Sequence, residues 1–482
     1  MYLSSLPTNY NISSTDLPIS SIVENTSDSA SFFEGGKFTL QNQDFNEASN
    51  ANFEQLASMD RATMRARARW LYSNNPIISN IDETIVNNSI GTGIRFQSNT
   101  GDITIDDEVE GLWAEWILKE NCDITGRYDF HEMQRILLGQ RMQDGEIFVQ
   151  MVNNKSSSPF QLQAIEADRL APSFYFKNSD LFRVVDGIEL SKHGKPIKYH
   201  FTNNNLKTFD VKARNIINFF KGENRFSQYR GVSEYKQTIV DLKNFAAFNS
   251  ATISSARARS NLAYVIESEK ANLSPRGVYS DKEQATLETI NGVFVERLKS
   301  GEKLNVIDPT SSGTGYKDFV ETSIRMIASA RKISYELAFK DFTKTNFSSA
   351  RASLIQDNKV FDHNQAHITK NILNPVFERF MKTMMTHGKF KHIPQSEFWK
   401  NPRKYMNPTW IVPARSYIDP FKEIKATQIE VEMGVKTLTE VAISQGKDFA
   451  QLVAQRVKEN EQLRQAGLIT ADEAELNKKS KK

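Results

Sequence analysis

Apolar and polar positions follow different rhythms along the chain, and each change of rhythm marks an element. Residues 1 to about 50 show no rhythm, being rich in Ser, Asn and Thr and poor in aliphatic side chains. Such a stretch buries too little to offset the entropy of ordering, so it is expected to be an arm that orders only against a neighbour. From Asn52 the spacing turns helical, and MDRATMRARARWLYSNNP places Arg61, Arg65, Arg67 and Arg69 on a helix that Pro76 stops. These arginines suit a basic binding face, or a solvated helix face with subunit contacts. IVNNSIGTGIRFQ, the helical VEGLWAEWIL, and the alternating DGEIFVQMVNN and FQLQAIEADRL follow, so residues 56–230 read as mixed α and β.

After Arg230-Gly231, the positions Ile239, Leu242, Ala246 and Ile253 recur at helical spacing and predict a long helix over 231–262 with a narrow apolar stripe. Residues 263–316 are mixed, with Pro275, Gly277, Gly292, Gly301 and SSGTG separating short apolar runs. Val320, Ile324, Ile327, Ala330, Ile333 and Leu337 predict a second helix over 317–338. The polar stretch KDFTKTNFSSARAS then interrupts. Ser348 or Ser349 is the expected cap of a third, long helix that Pro375 kinks and that ends near His387-Gly388. From Pro420 the chain reads as mostly helical, finishing in a basic KKSKK expected to be mobile.

Composition narrows the class. With 482 residues, 39% hydrophobic and 25% charged, the chain is long enough for several cores and ordinary for a folded protein. Sixty-one Lys and Arg against 58 Asp and Glu give a formal +3, so any affinity for nucleic acid has to come from local placement of charge. The single cysteine, Cys122, excludes an intrachain disulfide and a cysteine-based zinc site, and suits a reducing cytoplasm. MYLSSLPTNYNISSTDLPIS has no basic or apolar leader signature, and no apolar window is long enough to span a membrane. The expectation is a soluble intracellular product.

The sites of enzymes are missing. Every Gly-Lys pair is followed by Phe, Pro or Asp, so there is no phosphate-cradling Gly-Lys-Ser/Thr loop. His363 and His367 stand one helical turn apart in HNQAH without the glutamate of a zinc protease. They suit a metal pair or ordinary helix-surface histidines. The carboxylates of GDITIDDEVEG, and Asp144 with Glu146, suit a two-metal site or, more simply, caps and salt bridges. GTG at 91–93 lacks the rest of a dinucleotide fingerprint. No catalytic residue, metal or cofactor is therefore expected.

Several phrases in order, however, carry a resemblance: RARARWLYSNNPIISNIDETIVNNSIGTGIRF, WAEWILKENCDITGRYDF, QRMQDGEIFVQ, IEADRL, QYRGVSEYKQTI, LKSGEKLNVIDP, DFVETSIRMIASARKISYELAFKDFTKTNFSSARAS and GVKTLTEVAISQGKDFAQLVAQRVKEN. Over roughly residues 55–465 the sequence resembles the lambda-type family of tailed-bacteriophage portal proteins. The resemblance implies an α+β portal fold built into a ring, commonly a dodecamer, assembled in the host cytoplasm and placed at one vertex of the virion capsid with double-stranded DNA passing through its axis. It implies an N-terminal arm at 1–55, a wing at 56–230 that returns at 349–420, stem helices at 231–262 and 317–338, a clip at 263–316, a tunnel loop at 339–348, and a crown with a basic tail at 421–482. The implied partners are other copies of the chain, DNA without sequence specificity, the terminase large subunit, a head-completion or tail adaptor protein, and the major capsid and scaffold proteins, with no membrane.

By the same likeness Lys340, Phe342, Lys344, Asn346 and Phe347 would face the nucleic acid. Lys340 and Lys344 against Asp341 leave a formal +1 per copy, about +12 for a dodecamer facing roughly twenty phosphates per turn of duplex. The phenylalanines would pack the loop base, brush sugar edges or anchor neighbouring subunits. Arg257 and Arg259 would face the lumen or clip, or bridge subunits. The competing readings are a metal-dependent DNA-processing enzyme and a structural capsid or scaffold protein without a conduit.

Overall fold

The computed structural model describes residues 48–466 apart from 155–157, 172–181, 204, 206, 223–224, 262–264, 269–287, 291–292, 296–301, 306–314 and 416–418. Most of the expected arm, most of the expected clip and the KKSKK tail lie outside the described residues. Residues up to Asn52 form one unit and Phe53 onward a second; the second is described below.

It begins with α1 (Phe53–Asn74). The Asn75 side chain accepts from the amides of Ile77 and Ile78 and so opens α2 (Pro76–Ser89), whose proline sits in the first turn, where its missing N–H costs nothing. β1 (Arg95–Ser98), α3 (Ile103–Trp116), α4 (Lys119–Cys122) and α5 (Phe130–Asp144) follow. α5 opens on a reciprocal Asp129/Glu132 cap and closes at Gly145, φ 90°. Two sheets come next. β2 (Glu146–Asn153), β3 (Phe160–Ile165), β4 (Phe182–Val185), β5 (Ile188–Ser191), β6 (Pro196–Thr202), β7 (Thr208–Lys212) and β8 (Ile216–Phe220) pair antiparallel in the orders β3-β2-β8 and β4-β5-β6-β7.

α6 (Ile239–Asn261) is the helix expected from 231. Short strands follow, β9 (Val265–Ser268), β10 (Glu288–Ile290), β11 (Val293–Val295) and β12 (Glu302–Asn305), paired β9 with β12 and β10 with β11. Then come α7 (Tyr316–Ala330), α8 (Tyr335–Phe339) and α9 (Phe347–Ile368). A π-turn at Thr369–Leu373 leads into α10 (Asn374–Thr386). α11 (Gln395–Lys400), α12 (Pro402–Tyr405) and β13 (Pro408–Ile411) close the body, and β13 pairs with β1, Arg95 opposite Ile411. α13 (Pro420–Glu432), α14 (Leu438–Ser444) and α15 (Phe449–Gln465) end the described chain.

The main core joins parts far apart in sequence. Trp113 and Trp116 of α3 and Phe130 of α5 lie against Phe377 and Phe380 of α10, with ring centroids 4.9–6.4 Å apart. Aromatic burial of this size dominates packing energetics. A smaller core of Phe148, Ile188, Leu190, Tyr199 and Phe201 serves the four-stranded sheet.

Five local expectations need correction. The helix expected from 231 starts at Ile239, because the backbone before it is held elsewhere: Glu54 accepts from the amides of Tyr229 and Arg230, and Glu146 accepts from the amide of Gly231. The helix expected over 317–338 is two pieces, since Lys332 has φ 61° and Ser334 caps α8. The cap of α9 is Asn346, which accepts from the Ser349 amide, rather than Ser348 or Ser349. Arg61, Arg65 and Arg69 form neither a solvated nor a binding face. Arg61 and Arg65 are buried; Arg61 pairs with Glu54 at 2.7 Å and with Asp186, while Arg69 forks onto Asp144. Arg67 alone of the four is exposed. Finally, His367 is not a surface histidine but is half-buried against Phe219, ring centroids 5.0 Å apart. At the expected kink the third helix runs into a π-turn at Thr369–Leu373, and Pro375 sits in the first turn of α10, where its missing N–H costs little.

His367 makes a pH prediction. Burial, then Arg141 beside it, pushes its imidazole down to about 4, whereas an unfolded histidine titrates near about 6.5. Between those values the unfolded chain binds the proton and the folded chain does not, so stability falls as pH drops through that window and is unaffected above it. Replacing His367 with Phe should remove this slope. At pH near 4.5 the wild type should lose about 2 kcal/mol relative to the variant compared with neutral pH, measured by urea unfolding at both pH values; parallel pH profiles would refute it.

Candidate nucleic-acid interface

The loop between α8 and α9 is built by local hydrogen bonding. Lys340 ends α8 in the left-handed region, φ 57°, which turns the chain sharply outward. The Asp341 carboxylate accepts from both the amide and the hydroxyl of Thr343, at 3.0 and 2.7 Å, and the Thr345 amide donates to the Phe342 carbonyl. These bonds to Thr343 hold the Asp341 carboxyl below its usual range. An aspartate and a threonine two apart form such turns readily. Lys340, at the start of the loop, and Phe342 are exposed, Phe342 by 50%.

The other positions expected to face nucleic acid are placed differently. Lys344 folds back, its Nζ 2.7 Å from Glu321 on α7. This pairing raises the Lys344 ammonium above its usual range and lowers the Glu321 carboxyl. Arg325 shares Glu321 at 2.7 Å and lies over the Tyr335 ring. Asn346 spends its side-chain oxygen on the α9 cap. Phe347 is the first residue of α9, and its side chain lies outside the described residues, as does that of Arg259. Arg257 is exposed on α6 and borders a groove of about 660 Å³, shared with Ile253, Tyr316 and Phe339. Counting Glu321 and Arg325 with Lys340, Lys344 and Asp341 keeps the formal +1 per copy, but Lys344 is engaged by a glutamate that it shares with Arg325.

At the α7–α8 break sits a cluster that the chain's local pattern did not reveal. Arg331, in the break between α7 and α8, is fully buried and donates to Asp82 at 2.7 Å and to Glu234 at 2.8 Å, with its guanidinium over the Tyr235 ring. Tyr235 donates to Asp82, and Arg141 pairs with Glu234 at 3.0 Å. Burial opposes the Glu234 charge, yet Arg141 and Arg331 hold its carboxyl down to about 2. Burial pushes Asp82 up to about 6 even with Arg331 in contact; an acid of that range remains mostly ionised at pH 7, as the ion pair requires. The cluster ties α2, α5, the turn before α6 and the end of α7 at one point. The only hint in the sequence is charge at Asp82 and Arg331 inside otherwise apolar helical stripes.

The carboxylates considered for metal, Asp107 apart, have structural work. Asp102 caps α3, Asp106 accepts from Thr100, Glu108 accepts from the amides of Lys391 and His392, and Glu110 from that of Ser98. Asp144 is bound by Arg69 and Glu146 by Arg230. Among the described residues no three His, Cys, Asp or Glu side chains are grouped to hold a metal ion, and no helix is long and apolar enough to cross a membrane.

Comparison with known proteins gives the architecture a family. Residues 40–365 match the family described as phage portal protein, lambda family. The chain is 24% identical to the probable portal protein of Halomonas phage phiHAP-1, over 86% of this chain and 83% of that one. It is 22% identical to portal protein B of Escherichia phage lambda, over 75% and 74%, and 22% identical to the portal protein of Escherichia phage N15, over 90% of each. A chain in the solved virion of a native gene transfer agent particle is similar at a TM-score of 0.45 and 14% identity, covering 82% of this chain and 99% of that one. The family match spans well over half of the sequence, and the chain therefore belongs to the lambda family of phage portal proteins, with the function of a capsid portal.

Proposed function

We propose that the chain assembles as a dodecameric ring at one vertex of the capsid and forms the conduit through which double-stranded DNA enters and leaves. The observation that carries this reading is family membership over residues 40–365. In this reading 56–230 and 349–420 are the wing, α6 and α7 the stem, the insert between them the clip, residues 340–346 the tunnel loop, and α13 to α15 the crown. The clip docks the terminase large subunit first and a head-completion or tail adaptor later, and the wing meets the major capsid and scaffold proteins. No catalysis is assigned to the chain: the family is structural, and energy conversion belongs to the partner.

Electrostatics support a loose grip. In each copy Lys340 is an exposed cation at the start of the loop with no ion pair among the described contacts, while Lys344 is already held by Glu321. Each phosphate neutralised adds about 0.9 to the salt dependence of binding, so a few of these lysines touching DNA at a time retain it without clamping it. A channel that passes a whole genome reads backbone charge rather than base edges.

Negative-stain images of the purified full-length chain should show rings with a central hole; a monomer that cuts DNA in the presence of a divalent metal would overturn the reading. Lys340→Ala should leave rings intact and reduce DNA retention severalfold, with Lys344→Ala having the smaller effect. Packaging unchanged in both variants removes these lysines from the mechanism.

A further inference from the structure

The C-terminal helices expose an apolar surface that a single chain leaves open. Among the residues of α13, α14 and α15, only Ala442 is buried. Phe421, Ile424, Ile429 and Met433, and on α15 Val453 and Val457, are 42–76% exposed. Isolated helices of this length are marginal in water, and most helical stability comes from packing an apolar face. Something else must cover them.

Charge selects the occupant. α13 carries Lys422 and Lys425 against Glu423, Glu430 and Glu432, a net of −1; α15 carries Arg456, Lys458 and Arg464 against Glu459 and Glu461, a net of +1. Neither helix is basic enough for nucleic acid, but the two are complementary in sign and both present exposed aliphatic side chains. A closed ring requires a heterologous contact, in which two different faces of the same chain meet around the axis. We infer that α13 of one copy packs against α15 of the next. This rests on the ring reading above and adds to it the surface that joins neighbours.

The test uses two full-length variants that each carry one added cysteine, Ile424→Cys and Val457→Cys, co-expressed so that rings contain both. The native Cys122 is buried, and burial raises its thiol to about 12, so it stays silent towards a short bismaleimide. Mixed rings should give a covalent dimer on a denaturing gel, while rings of either variant alone should not. Rings that give no dimer, or equal dimer in Ile424→Cys rings alone, overturn this contact and leave the ring reading standing. A chain that forms no rings at all overturns both. As a second readout, Ile424→Asp should lower the ring fraction at least tenfold in sedimentation while circular dichroism shows a folded chain; wild-type ring yield would overturn the proposal.

Discussion

Arg331→Met is expected to destabilise the body of the protein by about 3–5 kcal/mol, the usual cost of removing one partner from a buried ion pair. The reason is geometric. Arg331 is wholly buried against the buried Asp82 and the part-buried Glu234, and methionine would fill much of the volume while leaving the Asp82 carboxylate buried without its cation. Glu234 retains Arg141 at 3.0 Å, so Asp82 suffers most. Asp82→Asn in the Arg331→Met background should therefore recover part of the loss, and the double variant should be more stable than the sum of the single variants predicts. Urea unfolding followed by tryptophan fluorescence reports on this, because Trp113 and Trp116 sit in the adjoining core. Additive single and double variants would show that the cluster is not coupled. The consequence for function is positional: the α7–α8 break that this arginine anchors leads through α8 directly into the loop at 340–346, so Arg331→Met should also disturb DNA retention although it adds or removes nothing in the loop itself.

The second large effect comes from backbone crossing backbone. Gly145 ends α5 at φ 90°, and a Cβ there would land on the main chain of Val232 and Ser233, closer than real Cβ atoms pack. Gly231, reciprocally, faces the carbonyl of Gly145. The approach is drawn tight by Glu146, which accepts from Arg230 at 2.7 Å and from the Gly231 amide at 2.9 Å. Gly145→Ala combines a left-handed backbone with a clash that only the main chain can relieve. It should cost more than about 4 kcal/mol, in the range reserved for named structural failures, and should abolish soluble folded protein at ordinary growth temperature. Gly101→Ala is the control: φ is 87°, but nothing lies within 4 Å of the added atom, so only the conformational cost of about 1–2 kcal/mol applies. Comparable soluble yield and melting temperature in the two variants would refute the crossing argument.

The candidate interface was partly legible in advance. Two lysines and a phenylalanine in a polar break between helices identified an exposed loop, and the structure exposes Lys340 and Phe342 there. That Lys344 is moored to Glu321, 23 residues earlier, needed the fold of α7 against the loop. That Asn346 caps α9 was available locally, since Asn-Phe-Ser-Ser carries the cap residue as well as the serines first preferred for the role. The arginine run on α1 misled because charge density resembles a solvated face. Arg69 finds Asp144 75 residues away and Arg331 finds Asp82 249 residues away, and no local spacing encodes such pairings.

What the chain determines by itself is the set of amphipathic stripes, turn residues and breaks, because helix period, proline and capping act within one or two turns. The long helices, the interruption at 340–346, the irregularity before Pro375 and the helical C-terminal stretch all follow from that short-range chemistry. Tertiary structure alone decides which charges are buried and which lysine is left without an ion pair among the described residues. A buried charge is tolerable only where a partner arrives from elsewhere in the fold, and that arrival depends on the packing of every element between them.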